Sequence, residues 1–340
     1  MGGNALKEFG VKRVDSATYD RIKKEAMEKL SVICSRLQVP YEMRDKEDYG
    51  DVDILAIVKP EFTANLKEWI EATFKPRAIV HNSNVWSFNI EDLQIDLLTT
   101  SEDVYDIYFT FLCWGDFSMT MGRISRLYDL KYGIYGLEMP IRDPETNHVI
   151  RDLPISKEPR KIFEFMGYDY DRYLKGFTTQ EELRNYLFST PRMHRGFLTA
   201  KSENTKHYKR DRKRSMFASW FAWFEEHRME FPEAAALGIP EDINAKIAYV
   251  ESVFPESNLR VAYDNVQEEI KNSILSRNKF SGLHIKALFP ELEGRAFGAL
   301  MVLWTNQWPT KLDQIHYILS HDVEHLTELA HKVRKELVFP

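Results

Sequence analysis

From Ser16 onward apolar residues recur every three or four positions, at Tyr19, Ile22, Ala26, Leu30, Ile33 and Leu37, which predicts one amphipathic helix ended by Pro40. The period then shortens to two. Residues 41–44 and 52–58 read as two strands joined by the polar turn 45–50, and Pro60 starts a second helix reaching about Phe74. Residues 78–90 alternate around the turn Asn82-Ser83-Asn84, and 93–98 form a short apolar strand interrupted by one charge, Asp96. Strands and helices mix here without a strict βαβ rhythm, so the expectation is an α+β domain built on a small mixed sheet.

Beyond Glu102 the pattern predicts two helices, then a hairpin over 132–155 around Asp143-Pro144-Glu145-Thr146-Asn147. From Pro159 it turns to helix after helix, at 160–166, 180–188, 213–229, 261–275, 295–303 and 314–335. This places a domain boundary near residue 156: an α+β domain at 1–156, then a mostly helical region at 157–340 with room for a further division between 235 and 258. No repeat of fixed period and no low-complexity stretch interrupts the chain.

Composition narrows the class. With 44% hydrophobic and 29% charged residues in 340, the chain is of ordinary globular type and long enough for more than one module. Cys34 and Cys113 stand alone, which argues against a disulfide framework and a cysteine zinc site. No run approaches 18 apolar residues, and the start MGGNALKEF has no apolar core, so neither a membrane span nor a secretory signal is expected and a cytoplasmic location is. Gly2 is not read as a myristoylation site, because position 6 is Leu rather than Ser or Thr.

The net charge of -6 conceals a local excess. Residues 190–214 carry nine basic side chains (Arg192, Arg195, Lys201, Lys206, Lys209, Arg210, Arg212, Lys213 and Arg214) against Glu203 and Asp211, a balance of +7 that leaves -13 for the rest. A polyanion would be attracted locally, and Lys206, Lys209, Arg210, Arg212, Lys213 and Arg214 are the candidate RNA-phosphate ligands. Phe217 and Trp220, which follow at helical spacing, read as packing residues rather than base-stacking platforms.

The sharpest chemical feature is Gly50-Asp51-Val52-Asp53-Ile54-Leu55. Residues two apart share a strand face, so Asp51 and Asp53 project together from the start of an apolar strand. Two such carboxylates repel unless a cation compensates. Asp96 poses the same problem in its own apolar strand, and if the two strands are neighbours three acids converge. Hard oxygen ligands of this kind suit magnesium or manganese, with coordination sites left for substrate phosphates. Asp169 and Asp171 have the same spacing, but no apolar strand follows them, and they read as a loop or helix start.

These residues resemble the DNA polymerase β-like nucleotidyltransferase superfamily. Gly50-Asp51-Val52-Asp53-Ile54-Leu55 matches its Gly-Asp-x-Asp-hydrophobic strand, and Leu93-Gln94-Ile95-Asp96-Leu97-Leu98 matches the later strand with the third acid. The resemblance covers roughly residues 16–100. It implies that Asp51 and Asp53 bind both catalytic Mg2+ (or Mn2+) ions through the phosphates of an NTP, and that Asp96 holds the ion that activates the attacking hydroxyl. The sequence departs from the family where a Gly-Ser pair should precede the first Asp by about ten residues: here that stretch reads Tyr41-Glu42-Met43-Arg44-Asp45-Lys46. Lys46 and Gly50, with Gly2 and Gly3 from a folded-back N-terminus, are the candidate replacements as nucleotide ligands. Ser118, Arg123 and Lys131, on a predicted helix and just beyond it, are further candidates for phosphate contact.

Near the C-terminus, Phe280-Ser281-Gly282 and residues 289–301, with Pro290, Gly294 and Gly298, are similar to the tail-domain signature of CCA-adding tRNA nucleotidyltransferases. Gly294 and Gly298, one turn apart, allow a neighbouring helix or RNA backbone to approach. The start Met-Gly-Gly-Asn-Ala-Leu-Lys and the run Arg210-Asp211-Arg212-Lys213-Arg214-Ser215-Met216-Phe217 also look like phage-encoded nucleotidyltransferases, which would place the chain in the host cytoplasm. His321, Asp322 and His325 lie on the last predicted helix, but without a second His-Asp pair or an HExxH they read as a polar face.

The leading expectation is a metal-dependent nucleotidyltransferase that adds nucleotides from NTP to the 3' hydroxyl of RNA, with tRNA as one such acceptor. Two alternatives stay open: transfer to a small molecule or a protein side chain, and an inactive nucleotidyltransferase fold used as an RNA-binding module.

Overall fold

In the computed structural model the described residues are 5–44, 46–198 and 214–337. They form an α+β protein in two compact units, residues 1–140 with 152–257, and residues 141–151 with 258–340.

The first unit opens with β1 (Val14–Asp15), α1 (Ser16–Leu30) and β2 (Cys34–Gln38), followed by β3 (Asp48–Tyr49), β4 (Asp51–Val58), α2 (Pro60–Thr63) and α3 (Leu66–Phe74). A hairpin of β5 (Ile79–Asn82) and β6 (Val85–Ile90) leads into β7 (Leu93–Thr99), then α4 (Glu102–Leu112) and α5 (Phe117–Ser125). The main sheet has the order β2-β4-β7-β6-β5, with β4 and β7 parallel and every other neighbouring pair antiparallel. Asp15 caps α1 by accepting the Thr18 N–H at 2.9 Å. The apolar stripe of that helix, Tyr19, Ile22, Ala26 and Leu30, packs with Val52, Ile54, Ala56, Ile95 and Leu97 on one face of the sheet. On the other face Leu55 and Leu98 pack under Tyr105 and Tyr108 of α4.

Strands β8 (Lys131–Gly133), β9 (Gly136–Arg142) and β10 (Val149–Ser156) make a second sheet in the order β10-β9-β8. Helices α6 (Pro159–Phe165), α7 (Tyr170–Lys175) and α8 (Gln180–Phe188) complete an aromatic layer with α4 and α5, in which Tyr173 donates to the Thr110 carbonyl at 2.8 Å and packs near Phe117 and Phe163. Phe217 and Trp220, on the helix Ser215–His227, are almost fully buried, as packing residues should be. The second unit consists of the tip of the β9–β10 hairpin and the helices Leu259–Lys279, Gly282–Leu288, Gly294–Thr305, Lys311–Ser320 and Val323–Lys335.

Three expectations need correction. The first helix stops at Leu30 and residues 34–38 form β2 instead, because Ile33 and Leu37 fit a strand period as well as a helical one and β4 takes an edge partner, with Gln38 opposite Leu55. Residues 41–44 are not a strand: the Tyr41 carbonyl accepts from Trp114 N–H at 2.7 Å and its N–H meets Cys113 Sγ at 3.2 Å, so the loop after α4 takes the groups a ladder would use. The predicted helix at 314–335 is two helices, since Asp322 accepts the His325 N–H at 2.8 Å and starts a new one. By compactness residues 157–257 group with the main sheet, while the hairpin tip joins the C-terminal helices through Arg151–Glu269 at 2.8 Å and Arg277–Glu145 at 3.9 Å.

Asp169 caps α7 by accepting from Arg172 N–H at 3.0 Å, as a helix start. Gly294 adopts φ +50 at the start of its helix and Gly298 lies mid-helix, and nothing stands within 4 Å of the Cβ position of either among the described residues. Left-handed backbone, rather than close approach, accounts for the first glycine.

Candidate metal centre

Parallel pairing of β4 and β7 sets Asp53 opposite Asp96 and Asp51 opposite Gln94. Across the antiparallel neighbour, Ser87 of β6 stands opposite Asp96. Side chains alternate along strands, so Asp51, Asp53, Gln94, Asp96 and Ser87 share the face that α4 covers further along, at Leu55 and Leu98. That face is therefore apolar under the helix and acidic beyond it. Each of Asp51, Asp53 and Asp96 offers an oxygen within 4.8 Å of the others, and the three could hold a metal ion.

The electrostatics are those of closely spaced acids that raise one another's pKa. Desolvation by the surrounding protein, then the charges of Asp51 and Asp96, push the Asp53 carboxyl up to about 7. Asp53 is nevertheless exposed to solvent rather than in a core. Asp96 is buried and also raised, by desolvation, with hydrogen bonds from Ser87 and Gln94 working the other way. Gln94 Nε2 donates to both Asp96 oxygens at 2.9 Å, and Ser87 Oγ donates to one of them.

Sequence reasoning does not single out Gln94, Ser87, Leu6 or Arg13. The Leu6 N–H donates to Gln94 Oε1 at 3.1 Å, and Arg13 binds Asp48 at 2.9 Å with its guanidinium 2.8 Å from where a Gly50 Cβ would stand. Gly50 thus makes room for a cation at the start of β4, and the Asp48 hydrogen bond, with smaller contributions from Asp48 and Asp51 charges, raises the Arg13 pKa.

The other predicted ligands lie outside the carboxylate cluster. Lys46 is exposed, its ammonium 5.7 Å from the ring centre of buried Tyr49, which stacks on Tyr19 at 4.1 Å. Ser118 is buried on α5 and donates to the Phe111 carbonyl. Arg123 lies over the Phe217 ring at 5.3 Å, and Lys131 binds Glu138 at 3.0 Å and Asp152 at 2.6 Å. Of the basic segment, Arg192 donates to Tyr249 Oη at 3.0 Å, Arg195 pairs with Glu233 at 2.8 Å, and Arg214 pairs with the buried Asp116. Gly2, Gly3, Lys206, Lys209, Arg210, Arg212 and Lys213 fall outside the described residues.

A cavity of about 360 Å³ in the same unit is walled by Tyr41, Trp114, Lys23, Glu42 and Arg44. Glu42 accepts from Tyr19 Oη at 2.7 Å and lies near enough to Asp53 to add to its raised pKa, after desolvation and the two neighbouring aspartates. In the second unit, His321 and His325 stack at 4.4 Å and Tyr317 Oη meets His325 Nε2 at 2.8 Å, while Asp322 is engaged as a helix cap.

No helix among the described residues is long and apolar enough to cross a membrane. A scan of the chain against protein-family models finds no match, and a search of the curated proteins finds none either.

Proposed function

We propose that the chain is a metal-dependent nucleotidyltransferase whose centre is Asp51, Asp53 and Asp96. The observation that carries this reading is the convergence of three carboxylates from two parallel strands at the solvent-accessible end of one sheet face. Bound there, Mg2+ or Mn2+ would neutralise the acids, polarise the phosphates of an NTP and lower the pKa of an attacking hydroxyl. The chain's own part is to fix three oxygens on rigid strands, so that the attacking and leaving groups are presented in line. Arg13 and Lys46, near the start of β4, are the cations we assign to the triphosphate, and Tyr41 and Trp114 offer an aromatic wall to the base.

The acceptor we favour is the 3' hydroxyl of RNA. Support comes from the +7 excess in residues 190–214, which a small acceptor would give no reason for. Arg192, Arg195 and Arg214 hold the fold, so the phosphate footprint is assigned to the remaining six cations of that segment. The test is to incubate the protein with each labelled NTP, Mg2+ and total RNA, and in a separate series with small hydroxyl acceptors in place of the RNA. Label on RNA that disappears in Asp53→Asn is the expected result. Label on a small acceptor alone would move the function to that class, and no label on any acceptor would favour the RNA-binding module.

A further inference from the structure

We infer that Gln94 is a positioning residue of the metal centre and that the main-chain N–H of Leu6 sets its working orientation. The inference rests on the metal centre proposed above and concerns how one of its ligands is held. Gln94 is 1% exposed and Asp96 is 8% exposed. A buried carboxylate without donors would be free to turn and costly to keep charged. Gln94 Nε2 meets both Asp96 oxygens at 2.9 Å, which fixes the plane of the carboxyl. Oδ1 also accepts from Ser87 Oγ, so the acceptor capacity left for a metal ion is the second lone pair of Oδ2.

A glutamine amide has two ends, and only one orientation serves. Turned over, Gln94 would present its oxygen to a carboxylate and repel it. The Leu6 N–H can only donate, so its 3.1 Å contact with Gln94 requires Oε1 on that side and sends the NH2 group to Asp96. Leu6 is fully buried, and the chain after it is pinned beside the start of β7 by Lys12 N–H to the Asp92 carbonyl at 2.7 Å, and to β3 by pairing of Val14 with Tyr49. Docking of the N-terminal segment is thereby linked to the geometry of a metal ligand 90 residues away in sequence.

The experiment is a Mn2+ titration of the metal-free protein followed by electron paramagnetic resonance, on the full chain, Gln94→Met, a truncation lacking residues 1–6, and the two changes combined. Outer-shell partners of metal ligands are worth roughly 10–100-fold in affinity. We expect each single change to weaken Mn2+ binding by that factor, and the combination to add little, since both remove one relay. Gln94→Asn, too short to reach both partners, replaces the methionine variant should that one not fold. A merely structural glutamine would lower the melting temperature of the metal-free protein and leave Mn2+ affinity unchanged. Wild-type affinity in the glutamine variant or in the truncation overturns the inference, whereas no Mn2+ binding by the full chain overturns the metal centre itself.

Discussion

Asp53 and Asp96 stand directly opposite each other on adjacent parallel strands, and their side chains leave the sheet on the same face. Like charges in that position are destabilising on their own. With Asp51 on the same face, the arrangement is one that a divalent cation would convert from a liability into a binding site.

The raised pKa of Asp53 gives this a pH dependence. Its folded value of about 7 lies above the ordinary 3.8, so between those values the native chain holds more protons than the unfolded one. Stability of the metal-free protein from this group is therefore greatest below pH 4 and falls as pH rises towards 7. Thermal unfolding across pH should show that fall, Asp53→Asn should flatten it, and added Mg2+ or Mn2+ should raise the melting temperature more at pH 8 than at pH 5.5. An ion-induced shift of equal size at both values would mean the ion binds elsewhere.

Arg214 and its lysine neighbours should separate cleanly. Arg214→Ala leaves the buried Asp116 carboxylate without its guanidinium, at a cost of roughly 1–3 kcal/mol in stability. Neutralising Lys206, Lys209, Arg210 and Lys213 together should instead leave stability near wild type and reduce the slope of log RNA affinity against log salt, by about 0.7–0.9 for each phosphate no longer neutralised. Filter binding over a salt series distinguishes the two. An unchanged slope in the fourfold variant would assign the cluster to a solvated surface.

Much of the centre was legible in the sequence because strand period and hydrophobicity are local. Asp51 and Asp53 two apart before an apolar run, and Asp96 inside another, need no tertiary information to be singled out. What could not be read depends on register between strands. Gln94 is an ordinary polar residue until β4 and β7 pair and the N-terminal segment lies beside it. Arg13 gains meaning only from the space left at Gly50. The failure at Ile33 and Leu37 has the opposite origin, since both satisfy the helical spacing of α1, yet Ile33 lies in the turn after the helix and the sheet takes Leu37. Asp322 ends a helical pattern that hydrophobic spacing alone carries through, because a cap is a property of one side chain and its backbone.

Lys46 is exposed, and this moderates what it can contribute. An exposed charge pair is worth about 0.2–1 kcal/mol, so Lys46→Ala should raise the NTP dissociation constant by no more than about fivefold. Arg13→Ala is bounded in the same way, because Arg13 is exposed too and already paired with Asp48 at 2.9 Å. Isothermal titration with a non-hydrolysable NTP and Mg2+ compares the two, and equal affinity in both variants and wild type would remove these cations from the triphosphate site.

The most direct test of the metal centre is Mn2+ binding by wild type and by Asp51→Asn, Asp53→Asn and Asp96→Asn, each shown to be folded by far-UV circular dichroism. Wild type is predicted to bind Mn2+ with an affinity that drops at least about tenfold in every variant, as loss of one carboxylate from a three-acid set requires. Equal binding by all four proteins, or none by wild type, would contradict it.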